Sequence, residues 1–367
     1  MIHTLLDLVI NNNTKLGLTD VALIKRVKKL SKLCIPFNIS SQMIEDRIQT
    51  IELYKRQLNN LFKVPQFTQR TPEWYNERHK MISSSDFATA IGDGKFSSQK
   101  DFIIKKCSPL TTTSTFDANH EILSWGIKYE PIATNIYGKR NNVVIHEFGL
   151  IKHQNPQYNY IGASPDGITE NGIMIEIKCP FRRTIDGSIP TQYYYQIQGQ
   201  LEVCNLEEAD YIECAFKEYY SKNDYFNDSD STGKYTKDMN EKGIIYEYQD
   251  GTNTRHYVYS PFLCNNEDLI KWIDETEKNL NNIDYKVKFW YIKEYHCKRV
   301  YRDRQLFEDL IKKVKIVWEK ILEYRNDKDL YKNEVLTKRK KTIVEFEKER
   351  KTKELILNGF SFLKDDG

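Results

Sequence analysis

Three residues of the types used in phosphoryl-transfer chemistry lie close together in this chain: Asp166, Glu176 and Lys178. Asp166 sits in Gly162-Ala163-Ser164-Pro165-Asp166-Gly167, a turn signal. Glu176 follows ten positions later in Met174-Ile175-Glu176-Ile177-Lys178-Cys179-Pro180. The second segment reads as a strand, in which side chains alternate. Glu176 and Lys178 therefore share one face, and Ile175, Ile177 and Cys179 share an apolar one. A hairpin would fold Asp166 beside Glu176. Two carboxylates on rigid backbone suit a hard divalent cation. A neighbouring amine can orient or help to deprotonate an attacking water and offset charge developing on phosphate. The same residues also permit a plain reading, a surface ion pair between Glu176 and Lys178 with Asp166 serving only the turn.

The elements that must position these residues come from a chain of 367 residues, room for one large domain or two to three smaller ones. Lys and Arg number 55 against 52 Asp and Glu, a formal charge of +3, so nucleic acid is not held by bulk charge alone. A local basic channel is compatible with that balance. Mean hydropathy is −0.65, and no apolar run approaches a membrane span. The start, Met1 to Lys15, lacks the basic region and cleavage site of a secretory signal, so an intracellular protein with no membrane partner is expected. The seven cysteines are scattered, with no C-x-x-C pair. Neither a zinc site nor an iron–sulfur cluster nor a disulfide framework is expected from them.

Residues 1–65 read as a helical N-terminal extension, with Val21, Leu23, Ile24, Val27, Leu30 and Leu33 at helical spacing and a break at Pro36. Residues 66–262 read as an α/β core. Thr71-Pro72 opens a helix, a second helix runs from about Asn119 to Arg140 after the polar stretch Thr111 to Thr115, and a third covers Thr191 to Cys204. Strands are expected over 143–151, 158–163, 172–179 and 209–217, and a hairpin from 244–248 and 256–259. Ser221 to Lys242, rich in Asn, Asp, Ser, Gly and Lys, reads as a mobile insertion. Residues 263–367 read as a helical C-terminal extension, with 286–295 unassigned. Its basic runs, Lys338 to Lys341 and Lys348 to Lys353, read as solvated helix faces.

Five blocks in order resemble the lambda-exonuclease/YqaJ family of viral recombination nucleases, within the PD-(D/E)XK superfamily. They are Trp74-Tyr75-Asn76-Glu77-Arg78 with Ile82-Ser83-Ser84-Ser85-Asp86; Trp125-Gly126-Ile127-Lys128-Tyr129-Glu130; the Asp166 turn; Glu176-Ile177-Lys178; and Tyr193-Tyr194-Tyr195-Gln196-Ile197-Gln198. The resemblance runs from about Trp74 to Tyr259 and looks like versions found in large DNA viruses. It implies a restriction-endonuclease-like core, a central mixed sheet flanked by helices, between two helical extensions. It implies Asp166, Glu176, the backbone carbonyl of Ile177 and Glu130 as Mg2+ ligands, with Mn2+ as a substitute. Lys178 would position the water and Gln196 would line the same site. Arg78 and Ser85 would grip a terminal 5′-phosphate, Ser164 would contact DNA phosphate, and Tyr193 would lie on the DNA side.

Read by themselves, several of these residues have plainer roles. Arg78 could pair with Glu73 or Glu77, and Ser85 could cap a helix. Glu130 could be an exposed helix residue and Gln196 a solvated one, Tyr193 could belong to the core, and His146 and His153 read as structural or surface histidines. The function expected is metal-dependent digestion of linear duplex DNA, 5′→3′, with 5′-phosphate products, for viral recombination, repair or replication, favoured at neutral to alkaline pH where the ligands are ionised. The expected partners are duplex DNA with a free end and a single-strand annealing protein. Homo-oligomerisation stays open, because the extensions could block the family's ring trimer. If viral, the chain would work in the host cytoplasm, a virus factory or the nucleus. Other readings are a structure-specific endonuclease, a Cas4-like nuclease, or a non-catalytic DNA-binding scaffold that kept the fold.

Overall fold

The N-terminal apolar stripes fold as α1 (Ile2–Thr14), α2 (Asp20–Cys34) and α3 (Ser41–Leu61). These close on Leu6, Ile10, Val27, Ile44 and Ile51, and the Ser40 hydroxyl caps α3 at the Met43 amide. The computed structural model describes residues 2–34, 39–110, 121–252 and 254–336. Pro36, the stretch Thr111 to Thr115 and both basic runs of the tail lie outside the described residues. No described helix is long and apolar enough to cross a membrane.

The chain continues through β1 (Gln66–Phe67), α4 (Pro72–His79), β2 (Ile82–Ser83), a single helical turn at Ser84–Asp86, α5 (Phe87–Ala90), α6 (Gln99–Cys107) and α7 (Glu121–Asn141). Short strands follow: β3 (Ile145–His146), β4 (Leu150–Lys152), β5 (Ile161–Ala163), β6 (Gly167–Thr169) and β7 (Met174–Lys178). Then come α8 (Thr191–Cys204), β8 (Glu208–Glu218), α9 (Lys222–Asn227), β9 (Lys242–Gln249), β10 (Arg255–Tyr259), α10 (Asn266–Asn279), β11 (Tyr285–Tyr301) and α11 (Arg304–Asn326).

A seven-stranded mixed sheet runs β10-β9-β11-β8-β7-β6-β3, and a smaller sheet runs β1-β4-β5-β2. In the large sheet β7 and β8 are parallel, joined across α8, and the other pairs are antiparallel. The expected α/β core, a mixed sheet flanked by helices, is what the chain forms. One face of β7 buries Ile175 and Ile177 against Tyr129, Ile132, Ala133 and Ile136 of α7. Met174 lies in the other core, with Tyr211, Ile197 and Leu201, together with Phe307, Val314 and Trp318 of α11.

Two expectations need correction. Residues 263–367 are not purely helical, since β11 is the longest described strand and pairs with both β8 and β9 inside the sheet. Its alternation holds over Tyr285–Phe289 but is broken by the apolar run Trp290–Ile292 and the pair Lys293-Glu294, where the register shifts between Ile292 and Glu294, which hides the period of two. The segment expected as a mobile insertion, 221–242, is folded. The Lys242 ammonium is buried and donates to the carbonyls of Tyr225 (2.8 Å) and Asp228 (2.6 Å) and to the Ser229 hydroxyl (2.6 Å). Polar composition there supplies local caps and carbonyl ligands.

A buried charge network ties the N-terminal helices to the sheet. Arg47 of α3 donates to both oxygens of Asp7 (each 2.7 Å) and to Glu208 (2.5 and 2.9 Å). Arg299 of β11 donates to Asp210 (2.6 and 3.1 Å), Asp7 (3.1 Å) and Glu208. The hydroxyls of Tyr54 and Tyr137 donate to Glu208 (2.9 Å) and Asp210 (2.7 Å). Burial pushes the Glu208 carboxyl up, but the Arg47 hydrogen bond and the charges of Arg299 and Arg47 more than offset this and hold it at about 2.

Removing one partner strands buried charge, so Arg47→Met should cost about 3–5 kcal/mol of stability by denaturant titration. A carboxyl lowered in the fold contributes stability above its unfolded value of 4.5, and that stability is lost as pH falls towards about 2. Unfolding free energy should therefore drop across that window, and Glu208→Gln should flatten the drop. An unchanged slope in the Glu208→Gln protein would show that Glu208 is not the titrating group.

Candidate active site

The hairpin inferred from the sequence brings Asp166 and Glu176 together. Asp166 stands just ahead of β6, which pairs antiparallel with β7, and its Oδ2 accepts the Ile177 amide at 2.7 Å. Glu176 is completely buried. Its Oε1 accepts from Lys178 Nζ and from Gln196 Nε2 (2.7 Å), and its Oε2 accepts from Gln200 Nε2 (2.8 Å). The Lys178 ammonium also lies 5.0 Å from the centre of the Tyr193 ring. The plain reading of a surface pair fails, because one partner has no exposed surface.

Glu130, in the middle of α7, faces this cluster from the other side of β7. With Asp166 it lines a cavity of about 600 Å3, together with Gln69, Arg70, Thr134 and Glu147. The Arg70 guanidinium is 3.9 Å from the Glu130 carboxylate. Burial, then the charges of Glu176 and Glu130, push the Asp166 carboxyl well above its ordinary value, against Lys178 and the Ile177 amide. Burial also raises Glu130, with Arg70 and Lys178 pulling down and Glu176 and Glu147 adding to the rise. Burial would lower Lys178, but Glu176 and Asp166 outweigh it and the amine is held in its charged form.

Among the described residues no three acidic, histidine or cysteine side chains close on one point as a finished metal cage. Glu176 spends its oxygens on Lys178, Gln196 and Gln200. The donors nevertheless suit a hard cation, since all are oxygens, and the burial and mutual repulsion that raise Asp166 and Glu130 are what a bound positive charge would offset.

Arg78 and Ser85 form a second group. Arg78 Nη2 donates to Ser85 Oγ at 2.6 Å, and its guanidinium lies 4.8 Å over the Trp74 ring. The alternative pairing with Glu77 is not made, because Glu77 accepts from Lys80 (2.8 Å) and Lys152 (2.6 Å) instead. Ser164 belongs to neither group directly. Its hydroxyl accepts the Trp74 indole N–H at 3.2 Å, linking α4 to the Asp166 turn. His146 packs edge-on against Phe62, and His153 accepts the Asn155 amide at 2.9 Å.

Sequence reasoning missed Gln200, which is as buried as Glu176 and supplies one of its three hydrogen bonds. The signal was present, since position 200 is one helical turn past Gln196 and shares its face. Gln198, which the motif singled out, points away: its Nε2 donates to the Tyr301 carbonyl (2.9 Å) and its Oε1 accepts the Asp303 amide (2.7 Å). Arg70, with φ +66°, was also missed.

Residues 73–207 match the YqaJ-like viral recombinase domain family. An uncharacterised protein of Acanthamoeba polyphaga mimivirus is 29% identical over 311 residues, covering 74% of this chain and 56% of that protein. A protein of African swine fever virus is 23% identical over 185 residues, covering 41% of this chain and 50% of its own length. The chain thus spans about half the length of the curated relatives it matches. Among solved structures, the alkaline exonuclease LHK-Exo from Laribacter hongkongensis aligns with a TM-score of 0.41 and 18% identity, covering 75% of this chain and 100% of that one. The blocks read from the sequence, Trp74 through Gln198, fall inside the matched segment. Between residues 73 and 207 the chain is therefore similar to the YqaJ-like viral recombinase domain family.

Proposed function

We propose that the chain is a divalent-metal-dependent deoxyribonuclease that digests one strand of linear duplex DNA from a 5′ end, releasing 5′-phosphate products. One observation carries this reading. A turn acid and a strand acid meet through one backbone amide, with a charged lysine against the strand acid and a cavity opening on the turn acid. A viral recombinase domain supplies a setting in which a single-stranded tail is wanted for annealing.

Asp166 and Glu176 would hold Mg2+ or Mn2+, with the Ile177 carbonyl beside them and Glu130 across the cavity. When bound, the ion would act as a Lewis acid on a phosphoryl oxygen and lower the pKa of water. The protein's own groups do the positioning. Gln196 and Gln200 fix the Glu176 carboxylate, so it cannot swing with the substrate. Lys178, kept charged by Glu176 and Asp166, is a hydrogen-bond donor here and not a base. It would orient the attacking water and offset charge developing on phosphate. Arg78 and Ser85 offer a fork and a hydroxyl to a terminal phosphate. No base-reading element is needed for digestion without sequence preference.

With end-labelled linear duplex and Mg2+, Asp166→Asn and Lys178→Met should each lower the rate by about 10²–10³-fold or more, while circular duplex stays intact. Mn2+ should raise the melting temperature of the wild type and not of Asp166→Asn. Activity that survives both substitutions, or that needs no divalent cation, would sink the proposal. Gln200→Leu leaves the ligands in place and removes only an orienting donor. It should cost about 10–100-fold in activity with the fold retained.

A further inference from the structure

The anion-binding pair Arg78 and Ser85 lies inside the family segment, but what holds it in shape does not lie wholly there. The backbone from Arg78 to Met81 turns sharply out of α4 into β2. The side chain of Lys106, from α6, fills the inside of that turn. Its ammonium donates to the carbonyls of Arg78 (2.7 Å) and Met81 (2.5 Å) and lies 3.9 Å from Asp86 Oδ2. Lys106 is itself buried, and burial, against the pull of Asp86, lowers its amine to about 8.

Lys106 is clamped in turn by Arg325, near the end of α11. Arg325 Nε and Nη2 donate to the Lys106 carbonyl (3.0 and 2.7 Å), and Nη2 also donates to the His79 carbonyl (2.8 Å). One guanidinium thus joins the residue after Arg78 to the helix that carries Lys106. The electrostatics point the same way. The charges of Arg78, Lys106 and Lys105 all pull the Asp86 carboxyl down against its burial. After burial, Arg325, Lys106 and Lys105 lower His79 to about 4, so it is neutral at physiological pH. Three cationic side chains, Arg78, Lys106 and Lys105, act on the one Asp86 carboxylate, and Arg325 stands behind Lys106, a grouping suited to a phosphate dianion. On the opposite side α8 packs so closely that a Cβ on Gly199 would come within 2.9 Å of Ser84 Oγ and 2.7 Å of the Phe87 ring.

We infer that Arg325 and Lys106 are positioning residues for recognition of a terminal phosphate monoester at Arg78 and Ser85, so that α11, outside the recombinase segment, completes that site. The inference rests on the nuclease reading only for the identity of the ligand as a DNA end. Arg325 does not touch the phosphate. It holds the two backbone segments whose spacing sets where Arg78 and Ser85 point.

The test compares duplexes of one sequence bearing a 5′-phosphate or a 5′-hydroxyl. Equilibrium binding is measured in Ca2+ and digestion in Mg2+, for the full-length wild type, Arg325→Gln and Arg325→Lys. The wild type should prefer the phosphate. Arg325→Gln should lower affinity and rate for phosphorylated ends by about tenfold, the loss of one charge-assisted contact from a displaced Arg78, and leave hydroxyl ends within about twofold. Arg325→Lys keeps the charge and loses the two-carbonyl clamp, so it should retain the fold and still lose most of the preference. Equal loss on both ends in the lysine variant, or an undiminished preference in both variants, overturns the inference. A wild type that binds phosphorylated ends selectively but digests nothing would leave this inference standing and remove the nuclease reading. Digestion with no end preference would do the reverse.

Discussion

A carboxylate with no exposed surface sets the terms for the centre of this molecule. Burying Glu176 in a sheet strand costs several kcal/mol unless donors meet its oxygens. Lys178 is two residues along the same strand and comes with it. The other donors, Gln196 and Gln200, must come from a helix held at a fixed distance from that face. The position of α8 follows from this demand. Its glutamines divide by helical phase: 196 and 200 point to the strand, while 198 points to the opposite side and ties the helix to the β11–α11 junction. One helix thereby reads the site on one face and the C-terminal part of the fold on the other.

Charge is sorted by position across the same helix. Asp166, Glu176 and Glu130 repel one another around β7, Glu176 from the face towards α8 and Glu130 from α7 across the cavity, while Arg78, Lys105 and Lys106 act on Asp86 at the turn after α4 and Arg325 acts on Lys106. Trp74 joins the two regions, stacking under Arg78 and donating to Ser164 in the Asp166 turn. Neither concentration of like charge favours folding by itself. Functional sites commonly carry such concentrations of like charge because a ligand of opposite sign completes them. Under the proposed function the acidic region would take a cation and the region around Arg78 a phosphate.

The parts legible in the sequence are those fixed by local period. Alternation in Met174–Lys178 separates the chemical face from the core face, the Ser-Pro-Asp-Gly turn predicts the hairpin, helical spacing finds α2, and the Thr71-Pro72 start finds α4. What stayed hidden depends on partners far along the chain. Arg47 reads as one more cation on an amphipathic helix until Glu208, 161 positions away, is folded against it. Gln200 carries no motif of its own and is found only by asking which residue lies one turn past Gln196. The strand β11 is disguised by the break in alternation at Trp290–Glu294, where its register shifts, and Lys242 by the polar loop that supplies its carbonyl partners.

The boundary of the family segment and the boundary of the physical unit do not coincide. The segment ends at residue 207, immediately before β8, yet β8 pairs with every residue of β7 from Met174 to Lys178. Without it, the strand bearing Glu176 would be an edge with unpaired backbone groups and its carboxylate open to water. β8 in turn is paired along its length by β11, and its buried acids Glu208 and Asp210 are neutralised by Arg299 from that strand and Arg47 from α3. The dependence runs outward from the chemistry in three steps: β7 needs β8, β8 needs β11 and the N-terminal helices, and α11 follows β11 back onto the core beside α8. Residues on both sides of the matched segment are therefore part of the structure that makes Glu176 a buried, oriented carboxylate.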